Sequence, residues 1–434
     1  MSIIKQFAKE SSESSEDSDH KKKNKENKNL KKQQENQDKN KRGKNGHVPL
    51  KPRDSSLYVD VKINGRSKET MKYEIKQMEM RPGAFIRKST CMYGPSGTGK
   101  TVFTIHAMHL LKDTFPRVFV FSPTNQQNHD YDGIIPHALI FTELKLDFIV
   151  RLYEYQKMAT DVYENANNLD ILHELFMKVA NPKHKKFIHL LLEAKKKAMN
   201  EVNNTSRSVS EKRQREKEVD DVFTDVLRDA YKNVISSGKN PDILAAQSLS
   251  KKERFSLKFR NYNPRVLVIF DDAMTEIGEM IKEGKKQKQP VIQNFFYKGR
   301  HAHITSFYTF QNDKGLDSEL RKNAFISLFT NKSEAVSYFS RSSNGFGPEE
   351  KKIALAACDE IFKEENERRF CKMVYVRNDP KYKFQYVIAE EQEPFEMCSN
   401  LVRKYCKKIE KKGASFDTNN KFFKKFNDYA LGKI

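Results

Sequence analysis

Short apolar runs alternating with amphipathic stretches predict an α/β fold, with a mainly parallel sheet and helices on both faces. Two local patterns support it. A glycine-rich segment, Gly94-Pro95-Ser96-Gly97-Thr98-Gly99-Lys100-Thr101, joins an apolar strand to an amphipathic helix that carries Val102, Ile105, Met108, Leu110 and Leu111. A second apolar run, Val266-Leu267-Val268-Ile269-Phe270, ends in the paired acids Asp271-Asp272.

Residues 1–55 open the chain with a serine and acid cluster followed by a Lys/Asn/Gln/Glu run with almost no aliphatic side chains. Such a segment buries too little apolar surface to offset chain entropy, so a disordered, charged N-terminal tail is expected. Leu57, Val59, Val61 and Ile63 then alternate with polar residues, and Asn64-Gly65 supplies a turn, which predicts a strand leading into a hairpin or loop. Further candidate strands are 85–93, 117–121, 138–141, 266–270, 304–310, 325–330, 371–376 and 384–389. Residues 155–262 show no strand signal. Long charged helices over 187–202 and 209–235 mark a helical insertion, with a coiled hairpin as one form. The expected division is a tail at 1–55, core at 56–154, insertion at 155–262, core at 263–400, and a basic C-terminal helix and tail at 401–434.

The 434 residues hold 80 Lys+Arg against 58 Asp+Glu, a formal charge of +22, and mean hydropathy is −0.80. No stretch approaches the ~18 consecutive apolar residues of a membrane span, and the first residues lack the apolar core of a secretory signal. A soluble, non-secreted chain is expected. The five cysteines form no C-x-x-C pair and have no histidine at zinc spacing, which fits scattered thiols in a reducing compartment. The charge suits a polyanionic partner, but it is uneven: 1–53, 155–262 and 401–434 carry +7, +6 and +7, leaving +2 for the motif-bearing core. Charge therefore supports a nucleic-acid reading without carrying it.

The glycine-rich segment satisfies G-x-x-x-x-G-K-[ST]. Glycines let the backbone curl so that successive N–H groups and a helix N-terminus point at the β- and γ-phosphates. Gly94, Pro95, Ser96, Gly97, Thr98 and Gly99 would form the cradle, Lys100 would neutralise phosphate charge, and Thr101 would place its hydroxyl on Mg²⁺. Asp271 would hold Mg²⁺ through water, as a Walker B acid does, and Asp272 would polarise the attacking water, with Glu276 as a fallback. The strand His303-Ile304-Thr305-Ser306-Phe307-Tyr308-Thr309-Phe310 ends in Gln311, a candidate sensor of the γ-phosphate or its water. Arg300 and Arg321 flank that strand and are candidates for an arginine finger acting on a neighbouring subunit. Thr330-Asn331-Lys332-Ser333-Glu334 imitates the guanine-reading N-K-x-D motif, but Glu334 stands where Asp reads the base, so ATP is expected rather than GTP.

These blocks resemble the virion DNA-packaging ATPases of poxviruses and related nucleocytoplasmic large DNA viruses, of the FtsK/HerA superfamily. The resemblance spans roughly 85–145 and 263–340. It also takes in Val118-Phe119-Val120-Phe121-Ser122-Pro123, Asp130-Tyr131-Asp132-Gly133, Gly299-Arg300-His301 and Leu320-Arg321-Lys322-Asn323. It implies a RecA-like P-loop NTPase fold and an ATP- and Mg²⁺-dependent enzyme. It further implies assembly as a homo-oligomeric ring, double-stranded DNA as the translocated partner, capsid or portal-vertex proteins as docking partners, and a place in the virion or host cytoplasm. The lysine-rich segment 284–289 is expected to be a DNA-contacting loop. Two alternatives stay open: a helicase or segregation pump on the same core, and a non-catalytic DNA-binding scaffold with a nucleotide switch.

Overall fold

The computed structural model describes residues 56–62, 70–204, 209–237, 248–363, 371–379 and 381–411. The expected tail at 1–55, the Asn64-Gly65 turn and the basic tail after 411 lie outside the described residues. The strands are β1 (Leu57–Lys62), β2 (Thr70–Gln77), β3 (Ser89–Tyr93), β4 (Arg117–Phe121), β5 (Ile140–Phe141), β6 (Val266–Phe270), β7 (Ile304–Phe310), β8 (Ile326–Phe329), β9 (Cys371–Val376) and β10 (Phe384–Ile388). They form one sheet in the order β1-β2-β10-β9-β8-β3-β7-β6-β4-β5. From β8 to β5 all neighbours run parallel, whereas β9 is antiparallel to β8 and β10, and β1 to β2. The central strands are buried along their whole length, because helices cover both faces and water reaches neither.

The expected strands 117–121, 266–270, 304–310 and 371–376 have those bounds in the structure. Four others are shorter than expected. The run 85–93 becomes strand only at Ser89, because Pro82 opens a helical turn, Pro82–Phe85, where its missing N–H costs nothing. The run 138–141 loses its start to the 3-10 turn His137–Leu139. The runs 325–330 and 384–389 are trimmed to Ile326–Phe329 and Phe384–Ile388.

The helix after the glycine-rich loop is α1 (Lys100–Leu111). Between β5 and β6, where no strand occurs among the described residues, run α2 (Leu146–Ala166), α3 (Leu169–Val179), α4 (Pro182–Asn203), α5 (Val209–Ser236) and α6 (Lys251–Phe259). Helix α2 starts before the expected 155. Its first half packs Leu146, Phe148, Ile149 and Leu152 into the main core, so it belongs to the sheet layer. Asn168 and Asn181 cap α3 and α4, each accepting N–H bonds from the first turn, and Pro182 sits where no N–H is required. Helices α3, α4 and α5 share a separate apolar cluster of Leu172, Leu175, Phe176, Ile188, Leu191, Leu227, Tyr231 and Ile235.

The remaining helices are α7 (Met274–Lys286), α8 (Val291–Lys298), α9 (Ser318–Asn323), α10 (Lys332–Ser340), α11 (Pro348–Ile361) and α12 (Asn400–Glu410). Among the described residues no helix is long and apolar enough to cross a membrane. All five cysteines are free thiols.

An aromatic ladder crosses the parallel strands at their C-terminal ends. Phe141, Phe121, Phe270, Phe310, Tyr93 and Phe329 are the last residues of β5, β4, β6, β7, β3 and β8. Phe121 stacks on Phe141 and Phe270 at 5.2 and 5.3 Å, and Phe270 stacks on Tyr308 at 4.9 Å. Tyr93 stacks between Phe310 and Phe329 at 5.8 and 5.5 Å. Cross-strand aromatic pairs stabilise a sheet and hold its register. The residue after each of Tyr93, Phe270, Phe310 and Phe329 is Gly94, Asp271, Gln311 or Thr330, so the ladder sets the height at which the polar groups emerge.

Candidate active site

The loop after β3 turns through three glycines in the left-handed region or beyond it: Gly94 (φ 154°), Gly97 (φ 75°) and Gly99 (φ 84°). At Gly94 the requirement is also steric, since a Cβ there would lie 1.7 Å from Thr330 Oγ1. Thr330, just beyond β8, braces the loop. Its N–H donates to the Tyr93 carbonyl at 3.0 Å, and its hydroxyl is 2.6 Å from that of Thr98. Lys100, the first residue of α1, is only 7% exposed; its ammonium donates to the carbonyls of Gly94 and Pro95 at 2.6 and 2.7 Å. Burial lowers its pKa, and Asp272 and Asp271 oppose that shift.

Strand β7 lies between β3 and β6, so its end is adjacent both to the loop and to the two acids. Thr309 exploits that position. Its hydroxyl donates to Asp271 Oδ1 at 2.7 Å and accepts the Asp272 N–H at 2.7 Å. Asp271 is 4% exposed, and burial raises its pKa. Asp272 takes the left-handed conformation (φ 51°), a strained geometry for a non-glycine residue that redirects the chain as it leaves β6. Gln311 Nε2 donates to Asp272 Oδ1 at 3.4 Å.

Ser96, Gly97, Gly99, Lys100, Thr101, Asp271, Asp272 and Thr309 line one cleft of about 480 Å³ at the C-terminal edge of the parallel strands. A glycine loop, a buried lysine at a helix start and two acids on a nearby strand thus converge there. The chain has the P-loop NTPase fold. Thr101 and Asp271 offer a hydroxyl and a carboxylate to the same space, a hard-oxygen pair suited to Mg²⁺, which takes few protein ligands beside phosphate oxygens and water.

Other expected residues are placed differently. Glu276 sits in the first turn of α7 and does not line the cleft, whereas Asp272 does. Arg321 cannot serve as a free finger. It is 6% exposed, and its guanidinium donates to Asn344 Oδ1 at 2.9 Å and to the carbonyls of Asp313 and Leu316 at 2.6 Å each. Together with the bidentate pair of Arg341 and the fully buried Asp313, at 2.7 and 3.1 Å, it holds the segment that follows Gln311. Arg321→Ala is therefore expected to cost about 2–4 kcal/mol of stability by orphaning buried carbonyls. Mixed with Lys100→Ala chains, Arg321→Ala chains should restore no turnover; restoration would reinstate the finger.

Arg300 is exposed and precedes β7, so it sits at the strand edge opposite the cleft of its own chain. The lysine-rich segment 284–289 is only partly a loop. Helix α7 continues through Lys286, and the turn after it closes through Gln289 N–H donating to the Gly284 carbonyl at 2.7 Å.

Several site-adjacent residues went unassigned in the sequence. Thr309 looks there like one more β-branched strand residue, and Thr330-Asn331 like part of a base-reading motif. In the fold Thr330 braces the P-loop and Asn331 caps α10 by accepting the Glu334 N–H at 3.0 Å. Asp130, within the Asp-Tyr-Asp-Gly block, lines the cleft, and the buried Tyr131 beside it interacts electrostatically with Asp271. Lys372 reaches the loop from β9: it is 3% exposed, and a Cβ at Gly99 would lie 3.2 Å from its Nζ.

No protein-family model matches the chain. It is similar to the uncharacterized protein B354L of African swine fever virus, 28% identical over 366 residues in isolates Pig/Kenya/KEN-50/1950 and Warthog/Namibia/Wart80/1980, covering 81% of this chain and 96% of each relative. Among solved structures it is similar to the pCW3 conjugation coupling protein TcpA with ATPγS, at 11% identity and TM-score 0.34, covering 79% of this chain and 67% of that one. It is also similar to the genome packaging NTPase B204 of Sulfolobus turreted icosahedral virus 2 in complex with AMPPCP, at 11% identity and TM-score 0.31, covering 71% and 98%.

Proposed function

We propose that the chain is an ATPase that uses Mg²⁺-bound ATP to translocate double-stranded DNA, and that its task is packaging a viral genome. The observation that carries the ATPase reading is the convergence of the P-loop, Lys100, Asp271 and Asp272 on one cleft, with Gln311 bonded to Asp272 beside it. Lys100 exchanges its two loop carbonyls for phosphate oxygens when the triphosphate enters. Thr101 and Asp271 would hold Mg²⁺, which would supply charge neutralisation for the triphosphate. Asp272, carried on a left-handed turn and tied to Gln311, orients the attacking water. Gln311 couples that water to the segment clamped by Asp313, Arg321 and Arg341, which offers a route from hydrolysis to movement at the domain surface.

The DNA and packaging part of the reading rests on the packaging-ATPase motif blocks, and the similarity to a protein of African swine fever virus agrees with a viral setting. A ring of identical subunits, docked on capsid or portal-vertex proteins in the virion or at the cytoplasmic assembly site, follows from the same reading, with Arg300 as the remaining candidate finger. Two measurements test it. Phosphate release by the full chain should rise severalfold with duplex DNA and fall with added salt, as expected of a protein neutralising backbone phosphates. Particles formed without the protein should be capsids empty of DNA. Turnover indifferent to DNA, together with filled capsids, would overturn the proposal.

A further inference from the structure

A second pocket, of about 370 Å³, lies at the opposite edge of the sheet. Arg87, Arg265 and His303, each just ahead of a parallel strand (β3, β6 and β7), face it, and Lys232 of α5 closes one side. Seven strand residues at ~3.3 Å each put roughly 20 Å between this edge and the P-loop edge. The two sites are therefore distinct.

The lining is cationic. Arg87, Lys232 and Arg265 face a single acid, Asp229, a balance of +2. Among the described residues none of the three cationic heads donates a hydrogen bond or enters an ion pair; Lys232 instead sits 5.5 Å from the centre of the Tyr163 ring. His303 is 5% exposed, and its Nδ1 has no partner among the described residues; the buried Tyr262 hydroxyl is likewise unpartnered. Burial, with Arg87, Arg265 and Arg228 nearby, pushes the His303 pKa down to about 3, so the ring is neutral. A neutral imidazole protonated at Nδ1 donates to an anion oxygen, as does a tyrosine hydroxyl. Arg87 (φ 59°) and His303 (φ 52°) both hold left-handed backbones here, and the Arg87 N–H is pinned by Thr305 Oγ1 at 2.8 Å.

We propose that this pocket binds a phosphate-bearing anion, either free inorganic phosphate or the terminal phosphate of a nucleic-acid end. Three unpaired cations and two unpartnered polar groups around one space lack only an acceptor with several oxygens. A phosphate monoester or inorganic phosphate, at about −1.5 to −2 near neutral pH, matches the +2 lining better than a singly charged phosphodiester. The assignment is independent of what the P-loop cleft hydrolyses.

The test uses the full chain carrying Lys100→Ala, so that the P-loop does not mask the second site, with inorganic phosphate titrated by calorimetry. Binding should persist in that background. It should weaken at least about tenfold when Arg265→Gln or Lys232→Gln is added, as the loss of a charge-assisted donor predicts. Lys232 is half-buried on a helix, so its variant keeps the test readable even if Arg265→Gln unfolds. Displacement of phosphate by a 5′-phosphorylated duplex and not by a 5′-hydroxyl duplex would identify a nucleic-acid end as the source; displacement by neither would identify free phosphate. Phosphate binding lost with Lys100→Ala alone, binding unchanged by Lys232→Gln, or equal displacement by both duplexes would overturn the proposal.

Discussion

Replacing Lys100 with alanine is expected to lower the rate of ATP hydrolysis by at least about 10²–10³, the scale seen when one charge-stabilising group is removed from a transition state. The geometry explains the size of the effect. Lys100 is sunk to 7% exposure and already points along the loop, with its ammonium between the Gly94 and Pro95 carbonyls. An ammonium poised this way needs little reorganisation to meet a γ-phosphate, and among the described residues no other one lining the cleft is cationic. The fold should survive, because both lost bonds stay within the glycine-rich loop and neither joins two elements of the sheet. Phosphate release from the full chain with duplex DNA reads the effect, with the thermal midpoint as a control. Turnover within about twofold of the unsubstituted chain would remove Lys100 from the site.

The second large effect is on stability. Phe270→Ala should cost about 3–5 kcal/mol, the range for deleting a large buried aromatic, whereas Phe270→Leu, which keeps most of the volume, should cost well under half as much. Phe270 is 0% exposed, stacked between Phe121 and Tyr308 and packed edge-on against Phe295 at 6.1 Å. It also immediately precedes Asp271. The cavity would therefore loosen the link between β6 and β7 through which Thr309 holds both acids, and turnover should fall even where the protein stays folded. Denaturant midpoints of the two variants measure the stability term. A loss below about 1 kcal/mol for Phe270→Ala would show that the ladder contributes packing area without holding the strand ends.

The parts of the site that were legible in the sequence are the contiguous ones. A phosphate cradle needs consecutive backbone N–H groups and a helix start, so the eight residues from Gly94 to Thr101 must be neighbours in the chain. The paired acids Asp271-Asp272 are legible for a similar reason: a fully buried parallel strand reads as an unbroken apolar run, and its polar terminus stands out. Strand limits differ where local turn chemistry intervenes, as at Pro82, and α2 begins ahead of residue 155 because its first half is a core helix while its second half has the charged pattern of an insertion.

Arg321 shows the opposite case. In the sequence it is a basic residue after a sensor strand, as a finger would be. Only the packing of the Asp313 and Ser342–Asn344 segments around it makes it a buried brace. Thr330 and Lys372 reach the P-loop from β8 and β9, across more than two hundred residues of chain, and Thr309 meets Asp271 because β7 lies beside β6.

The sequence alone determined that this chain carries a P-loop followed by a strand ending in paired acids, because those features are made by residues adjacent in the chain. The tertiary structure decided which residues join them and which are structural, and it alone brought Arg87, Lys232, Arg265 and His303 around one pocket. Strand order and side-chain burial are properties of the whole packed sheet, set by long-range contacts that no local spacing encodes.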